Sequence, residues 1–291
     1  RPEVRIHLHL RPDEAALYID TSGEPLFKRG WRLDKGDAPL KETLAAAMLA
    51  ASGWNPLSDA PVPLYDPCCG SGTIVIEAAQ IACRIPPGAQ RRFAFERLLP
   101  FQAHVWQAIK EEAAQAIQTS VVPIFGSDVS HRMVDFAQRN AERAGVAQVV
   151  QLRGGDALQR LPPCAQPGVL LLNPPYGERI AAAGHAGQNA AVRAALRAQG
   201  AAVGREVAQA HPAGDAEEGG DFFRQLAAHW KKHYAGWTAW LLSPDPKLPS
   251  KMRLKESRRI PMWNGPIECR LFRFDLVQGS ARPARTAIDG A

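Results

Sequence analysis

The 291-residue sequence lacks any apolar run close to the roughly 20 residues that a membrane-spanning helix requires. Its five cysteines are an odd number, and neither they nor the histidines show the spacing of zinc ligands. Apolar residues nevertheless make up 46% of the chain, which is enough to build a buried core. These features exclude a membrane protein and predict a metal-free cytoplasmic protein with reduced thiols.

The sequence begins at Arg1 and not at a methionine, and we recognise no signal-peptide pattern in it. We therefore expect it to be a piece of a longer polypeptide. Acidic residues are in the minority, with 29 Asp and Glu against 35 Lys and Arg and a net charge of +6. This excess favours an anionic partner such as nucleic acid, without requiring one.

Short apolar strands alternate with helical patterns from residue 62 onward. The predicted strands are 62–65, 121–125, 149–152, 169–172 and 238–242, and the predicted helices between them include 73–83 and 131–144. This alternation predicts a mainly parallel sheet covered on both faces, a doubly wound Rossmann-like α/β fold that binds its ligand at the carboxyl ends of the strands. Upstream, residues 4–10 and 15–19 predict a hairpin, and residues 40–51 a helix that Gly53 ends.

The predicted domain organisation has one main domain and two small end segments. These are an N-terminal β extension over residues 1–32, the main domain over 33–279, and a disordered tail over 280–291. Residues 181–219 are rich in alanine and poor in large apolar side chains, so we predict a mobile insertion there. A second interruption, residues 84–120, contains an amphipathic helix near 105–117.

The strongest motif lies between the first strand of the predicted sheet and the helix that follows it. It reads Asp66-Pro67-Cys68-Cys69-Gly70-Ser71-Gly72-Thr73. Its glycines let the backbone turn sharply and approach a ligand, and the helix start supplies unpaired N–H groups. The acid at the strand end suits the positive amino group of an amino-acid-like ligand.

Two further acids follow the next two predicted strands. Asp128 is placed to accept from ribose hydroxyls, and Asp156 to accept from an adenine amino group. The separation between Asp66 and Asp128 far exceeds the ~20 residues of a compact dinucleotide fingerprint, which disfavours an NAD domain. Each acid alone is also explained as a helix cap or turn residue, but three at successive strand ends favour a nucleoside cofactor.

The second motif, Asn173-Pro174-Pro175-Tyr176, directly follows the fourth strand. Two prolines stiffen the backbone and remove two donors, so carbonyl oxygens stay free to accept. Together with the side-chain oxygen of Asn173 they can hold both N–H groups of an exocyclic amine, with its lone pair facing a methyl donor. Tyr176 can stack on a base, a contact worth ~1–3 kcal/mol. A rigid Asn-Pro turn is the simpler alternative.

Asp-Pro-x-x-Gly-Ser-Gly-Thr combined with Asn-Pro-Pro-Tyr resembles the class I amino-methyltransferases, which use S-adenosylmethionine. More narrowly, residues 20–23, 28–32, 38–45, 85–88, 173–179 and 264–269 resemble the bacterial THUMP-associated 23S ribosomal RNA guanine-N2 methyltransferases. The resemblance covers residues 4–278 apart from the insertion. Most of the THUMP domain is missing, and the insertion after Arg179 is longer than the family leads us to expect.

The resemblance implies S-adenosylmethionine as cofactor and methylation of a guanine N2 amine in 23S ribosomal RNA or its precursor. It places Glu42 and Thr43 at the border of the cofactor pocket. Asn-Pro-Pro-Tyr by itself also fits N6-adenine methylation of DNA or RNA and protein-glutamine methylation. A non-catalytic RNA-binding subunit is the remaining alternative, although the intact Asp66, Gly70 and Gly72 argue against it. The oligomeric state is left open.

Two stretches of basic side chains are candidates for phosphate contacts, although a solvated surface also explains such runs. They are Arg91, Arg92 and Arg97, followed by Lys247, Lys251, Arg253, Lys255, Arg258 and Arg259.

Overall fold

The computed structural model describes residues 4–36, 39–174 and 215–277. Its strands are β1 (Arg5–Leu10), β2 (Ala15–Asp20), β3 (Leu64–Asp66), β4 (Ile124–Asp128), β5 (Val150–Gly154), β6 (Val169–Leu172), β7 (Thr238–Ser243), β8 (Arg258–Asn264) and β9 (Ile267–Asp275). Its helices are α1 (Glu42–Ser52), α2 (Thr73–Ala82), α3 (Ala103–Gln115), α4 (His131–Arg143), α5 (Asp215–His233) and α6 (Leu248–Met252), with a 3-10 helix at Ala94–Arg97.

The predicted doubly wound α/β fold is confirmed. Seven strands form one sheet in the order β5-β4-β3-β6-β7-β9-β8. The first five strands of this order pair in parallel. The antiparallel strands β9 and β8 complete the sheet, and neither was predicted. Strand β4 begins at Ile124 rather than at Val121, because Pro123 has no N–H for the ladder. Asp128 is therefore the last residue of the strand.

Alternating side chains of the central strands pack into two cores on opposite faces of the sheet. Leu170 and Leu172 of β6 belong to the core that includes Leu226 and Trp230 of α5. Leu171 belongs to the core that α1, α2 and α4 cover. A parallel sheet buried on both faces explains why these strands are short and almost wholly apolar.

The predicted hairpin is confirmed, with Arg5 paired to Asp20 and Leu10 to Ala15. Its apolar side chains stay largely exposed, and Leu17 is 67% exposed, so the hairpin has no core of its own. The next turn is closed where Asp20 Oδ1 accepts from the Ser22 backbone N at 2.9 Å. Helix α3, which the sequence predicts as amphipathic, buries none of its side chains among the described residues.

Several predictions fall partly or wholly outside the described residues. They concern Ala38, Pro175, Tyr176, most of the insertion at 181–219 and the tail at 280–291. Residues 215–219 of the predicted insertion form the start of α5. In the described ranges no helix has the length and apolarity needed to cross a membrane, and no cluster of three acidic, His or Cys side chains is arranged to hold a metal.

Replacing Gly168 by Ala should destabilise the sheet. A Cβ at Gly168 would lie 2.1 Å from the backbone oxygen of Pro63, where β6 starts beside β3, so the backbone has to shift. We expect the free energy of unfolding to fall by about 3 kcal/mol in urea denaturation. In the control Gly36→Ala, the new Cβ would first meet the flexible Met133 sulfur at 3.3 Å. That variant should lose less than about 1 kcal/mol, and equal losses in the two variants would contradict the prediction.

Candidate active site

Four polar side chains lie at the carboxyl edge of the sheet. Asp66 ends β3, Asp128 ends β4, Asp156 comes two residues after β5, and Asn173 directly follows β6. Strand β3 pairs in parallel with β4 on one side and with β6 on the other, so these strand ends meet at the same edge. The loop that follows β3 therefore starts beside Asn173, which follows the neighbouring strand β6.

The loop between β3 and α2, called the glycine loop below (residues 66–73), owes its shape to two glycines. Gly70 and Gly72 have positive φ angles of 53° and 88°. A Cβ at Gly72 would lie 3.0 Å from the Cβ of Ala137 on α4, so this glycine permits close helix packing. A Cβ at Gly70 would meet no atom within 4 Å. Gly70 thus borders open space in which a ligand can approach the backbone.

Three acidic side chains, Asp66, Asp128 and Asp156, lie near one another at this edge. Burial raises the pKa of the Cys68 thiol well above its usual range, and the nearby Asp66, Asp128 and Asp156 add to this increase. Burial raises the pKa of Asp66 well above its usual range, and Asp128 adds to this increase. None of the three acids forms an ion pair with another described residue. The edge therefore suits a cationic group of a ligand.

Each acid also stabilises the turn that follows its strand. Asp66 Oδ1 accepts from the Cys68 N at 3.0 Å, and Asp156 Oδ1 accepts from the Leu158 N at 2.9 Å. Both oxygens of Asp128 are used, because Oδ1 accepts from the Ser130 N at 2.9 Å and Oδ2 from the Gly70 N at 2.9 Å. The turn-residue alternative and a ligand-binding role are thus compatible, since a carboxylate has about four acceptor positions.

Asn173 presents an unsatisfied acceptor. The residue is half-buried, and its Oδ1 is buried with no hydrogen-bond partner among the described residues. Leaving a buried amide oxygen unpaired costs about 1–3 kcal/mol. Such an oxygen beside the glycine loop marks a place where a ligand can donate a hydrogen bond. Pro174 is buried next to it, and the roles predicted for Pro175 and Tyr176 stay predictions.

Glu42 and Thr43, at the start of α1, occupy different surroundings. Glu42 is buried and forms an ion pair with Arg32, and burial raises its pKa against the opposing effect of that arginine. The Arg32 guanidinium also donates to Leu40 O at 2.6 Å and to Oγ1 of Thr73 at 3.3 Å. Arg32 therefore connects the start of α1 to the end of the glycine loop. Thr43 is exposed, and the cofactor contacts of both residues stay predictions.

Asn140 is a structural residue of the site that the sequence analysis missed. It is fully buried on α4, and its Nδ2 donates to Ser71 O at 3.0 Å and to Asp34 O at 2.8 Å. It thereby fixes the glycine loop against the segment around Asp34. The available signal was an amide on the otherwise apolar face of α4, next to Ala137 and Ala141.

Arg91 was predicted to contact phosphates, and the structure gives it another role. Its guanidinium donates to Pro25 O at 3.1 Å and to Ser22 O at 3.2 Å, and it also contacts Glu24 O. Arg91 therefore fixes the loop after the hairpin. In the second basic stretch two side chains are already in ion pairs, Lys251 with Asp245 and Arg259 with Glu256.

The chain is similar to a known family and to several known proteins. The family model described as RMKL-like methyltransferase domain matches residues 29–197. The chain is 37% identical over 285 residues to the ribosomal RNA large subunit methyltransferase K/L of Shewanella baltica, and 36% identical to the protein of that name from Shewanella loihica. Each match covers 96% of this chain and 35% of the relative. The chain therefore spans about a third of the length of these curated relatives.

Two solved structures share the fold at significant sequence identity. SMU.472, described as a methyltransferase candidate and solved in complex with SAH, has a TM-score of 0.74 and 29% identity. That match covers 95% of this chain and 63% of SMU.472. A protein from Listeria monocytogenes, described as a predicted N6-adenine-specific DNA methylase, has a TM-score of 0.73 and 28% identity, covering 93% and 60% of the two chains.

Asp66→Asn should stabilise the ligand-free protein increasingly as the pH rises. The pKa of Asp66 is raised in the folded state, so the folded protein retains a proton that the unfolded chain has lost, and its stability falls as the pH rises through that window. Asparagine does not titrate, so the variant does not lose stability as the pH rises through this window. Its Oδ1 can still accept the hydrogen bond from the Cys68 N. Urea denaturation between pH 5 and 8.5 measures the difference. Asp221→Asn, at an exposed position on α5, is the control and should show no such trend. A gain independent of pH would contradict the prediction.

Proposed function

Because the chain belongs to the RMKL-like methyltransferase family, we propose that it transfers a methyl group from S-adenosylmethionine to the exocyclic N2 amine of a guanine in RNA. Large-subunit ribosomal RNA is the proposed substrate, since relatives that are 35–37% identical to the chain are named ribosomal RNA large subunit methyltransferase K/L. The cytoplasm is the proposed location. The observation that carries the proposal is the unpaired Asn173 Oδ1 beside the glycine loop.

The residues at the carboxyl edge fit this cofactor. Asp66 has no cationic partner among the described residues and suits the positively charged amino-acid end of the cofactor. The open space at Gly70 lets the backbone approach it, and Asp128 and Asp156 supply acceptors for ribose hydroxyls and an adenine amino group. When bound, S-adenosylmethionine supplies an activated methyl group with a good leaving group.

Asn173 and Pro174 act on the nitrogen that is methylated. Asn173 Oδ1 accepts one N–H of the exocyclic amine, and the backbone oxygen of Pro174 accepts the other. This arrangement directs the nitrogen lone pair away from the ring and toward the methyl donor. The proposal includes no side chain that acts as a general base. Water accepts the proton that the methylated amine releases. Catalysis then rests on positioning and on polar groups arranged in advance, for a guanine that is unpaired or flipped from its stack.

Asn173→Ala should abolish most turnover without removing cofactor binding. The variant loses the acceptor that orients the amine, and removing one such positioned group lowers the rate by about 100-fold or more. Transfer of labelled methyl to ribosomal RNA measures turnover, and calorimetry should show a cofactor affinity within a few-fold of the original. Asn55→Ala, in an exposed turn, is the control and should keep full activity. Near-normal turnover by Asn173→Ala would remove Asn173 from its assigned role.

Asp128→Ala should weaken cofactor binding by at least about tenfold, or about 1.4 kcal/mol. The substitution removes the proposed ribose acceptor and also the hydrogen bond that the Gly70 N donates at 2.9 Å. Calorimetry with S-adenosylhomocysteine measures the effect. Asp221→Ala on α5 removes an exposed acid and should leave the affinity unchanged. Unaltered affinity in Asp128→Ala would exclude Asp128 from the cofactor site.

The choice of target is tested by offering ribosomal RNA, DNA and protein separately with labelled cofactor. We expect N2-methylguanosine in digested RNA, identified by nucleoside mass spectrometry. N6-methyladenine would instead support the alternative that the description of the Listeria monocytogenes protein suggests, and label in protein would support glutamine methylation. No incorporation, together with no saturable binding of S-adenosylmethionine, would favour a non-catalytic RNA-binding subunit.

A further inference from the structure

A cleft lies between the hairpin end of the chain and the segment that follows α2. Its volume is about 730 Å³, and none of its lining residues belongs to the carboxyl edge of the sheet. The charged side chains that line it are four cations, Arg5, Lys28, Arg92 and Arg97, and two carboxylates, Glu24 and Glu96. The cleft therefore has an excess of positive charge and is large enough for a segment of an extended ligand.

The two carboxylates are engaged within the protein, whereas two of the cations are not. Glu96 Oε1 accepts from the Phe93 backbone N at 2.8 Å, and Glu24 forms an ion pair with Lys28. Arg92 and Arg97 are exposed, and neither guanidinium has a hydrogen bond or ion pair with any residue in the described ranges. Their charges remain available to an anionic ligand.

The two sides of the cleft are joined before any ligand binds. The Phe95 N donates to Thr21 O at 3.1 Å, and a Cβ at Gly23 would lie 3.3 Å from the Ala94 N, so the backbones are in close contact. Arg91 adds its hydrogen bonds to the backbone of residues 22–25. A cleft with fixed sides places its cations in advance and loses little entropy on binding.

The aromatic ring in the cleft is already in use. Phe93 stacks on Phe95 with the ring centroids 5.3 Å apart, and the Arg91 guanidinium lies over its ring at 4.9 Å. The cleft consequently offers charge rather than an aromatic face on which a base could stack. Contacts of this kind recognise phosphate groups and carry no sequence information.

We propose that this cleft binds the phosphate backbone of RNA, as a contact separate from the methyl-transfer site. The inference rests on the proposed function in that RNA is the substrate. Arg92 and Arg97 contact phosphates, with Arg5 on the opposite side of the cleft. This contact raises affinity for RNA of any sequence and helps to retain the substrate while the target guanine enters the carboxyl edge.

The double variant Arg92→Ala/Arg97→Ala tests the proposal. The probe is a fluorescein-labelled 30-nucleotide single-stranded RNA, followed by fluorescence anisotropy between 50 and 300 mM KCl. We expect at least about fivefold weaker binding at 50 mM KCl, and a plot of log affinity against log salt that is less steep by about 1.4, since each single-strand phosphate contact contributes about 0.7. A second RNA of unrelated sequence should lose affinity by the same factor.

Arg224→Ala is the matched control, because Arg224 is an exposed arginine on α5 that is paired with Asp221. It should leave RNA affinity and salt dependence almost unchanged, while Arg92→Glu/Arg97→Glu should weaken binding further than the alanine pair. All variants should retain the thermal unfolding midpoint and the cofactor affinity of the original protein. Original affinity and slope in the alanine pair, or no RNA binding by the unaltered protein, would overturn the proposal.

Methyl transfer by the same proteins separates this proposal from the proposed function. If the unaltered protein forms N2-methylguanosine and the alanine pair binds RNA normally, the cleft assignment is wrong and the function stands. If the alanine pair loses RNA affinity but the unaltered protein methylates no guanine, the cleft assignment stands and the function is wrong.

Discussion

Two hydrogen bonds attach the glycine loop to the end of the neighbouring strand, and the geometry of the carboxyl edge follows from them. The Cys69 N donates to Ser127 O at 2.8 Å, and the Gly70 N donates to Asp128 Oδ2 at 2.9 Å. To reach the end of the adjacent parallel strand β4, the loop turns toward it, and the positive φ of Gly70 permits this turn. Asp128 thus shapes the loop that borders the ligand space and also adds charge to it.

A short strap of residues 29–34 connects the hairpin end of the chain to this edge. Arg29 pairs with Glu77 of α2, Arg32 pairs with Glu42 of α1, and Asp34 accepts from Arg143 at 2.5 Å. The first two pairs are nearly buried, so their desolvation offsets much of their attraction, while loss of one partner would leave a buried charge alone. The two pairs therefore attach the strap to α2 and to α1.

The carboxyl edge is not arranged for maximum stability of the ligand-free protein. Asp66 is only 1% exposed, faces the charge of Asp128 and has no cation beside it among the described residues. Asn173 keeps a buried oxygen without a donor. Costs of this kind concentrated in one place are typical of functional sites, where a ligand provides the missing partners. The carboxyl edge therefore lowers the stability of the ligand-free protein and at the same time offers unpaired groups to a ligand.

The sequence by itself determined the features that depend on neighbouring residues. Strand and helix alternation, the glycine turn before α2, and acids at strand ends are local properties of backbone and side-chain chemistry. They sufficed to predict the parallel part of the sheet and the residues at its carboxyl edge, but not the antiparallel strands β8 and β9. Only the tertiary structure decided which groups meet across long separations. Asn140 reaches Asp34 over 106 residues, and Arg91 reaches Ser22 over 69. No local pattern predicts either contact, because the two partners of each meet only when distant parts of the chain have folded together.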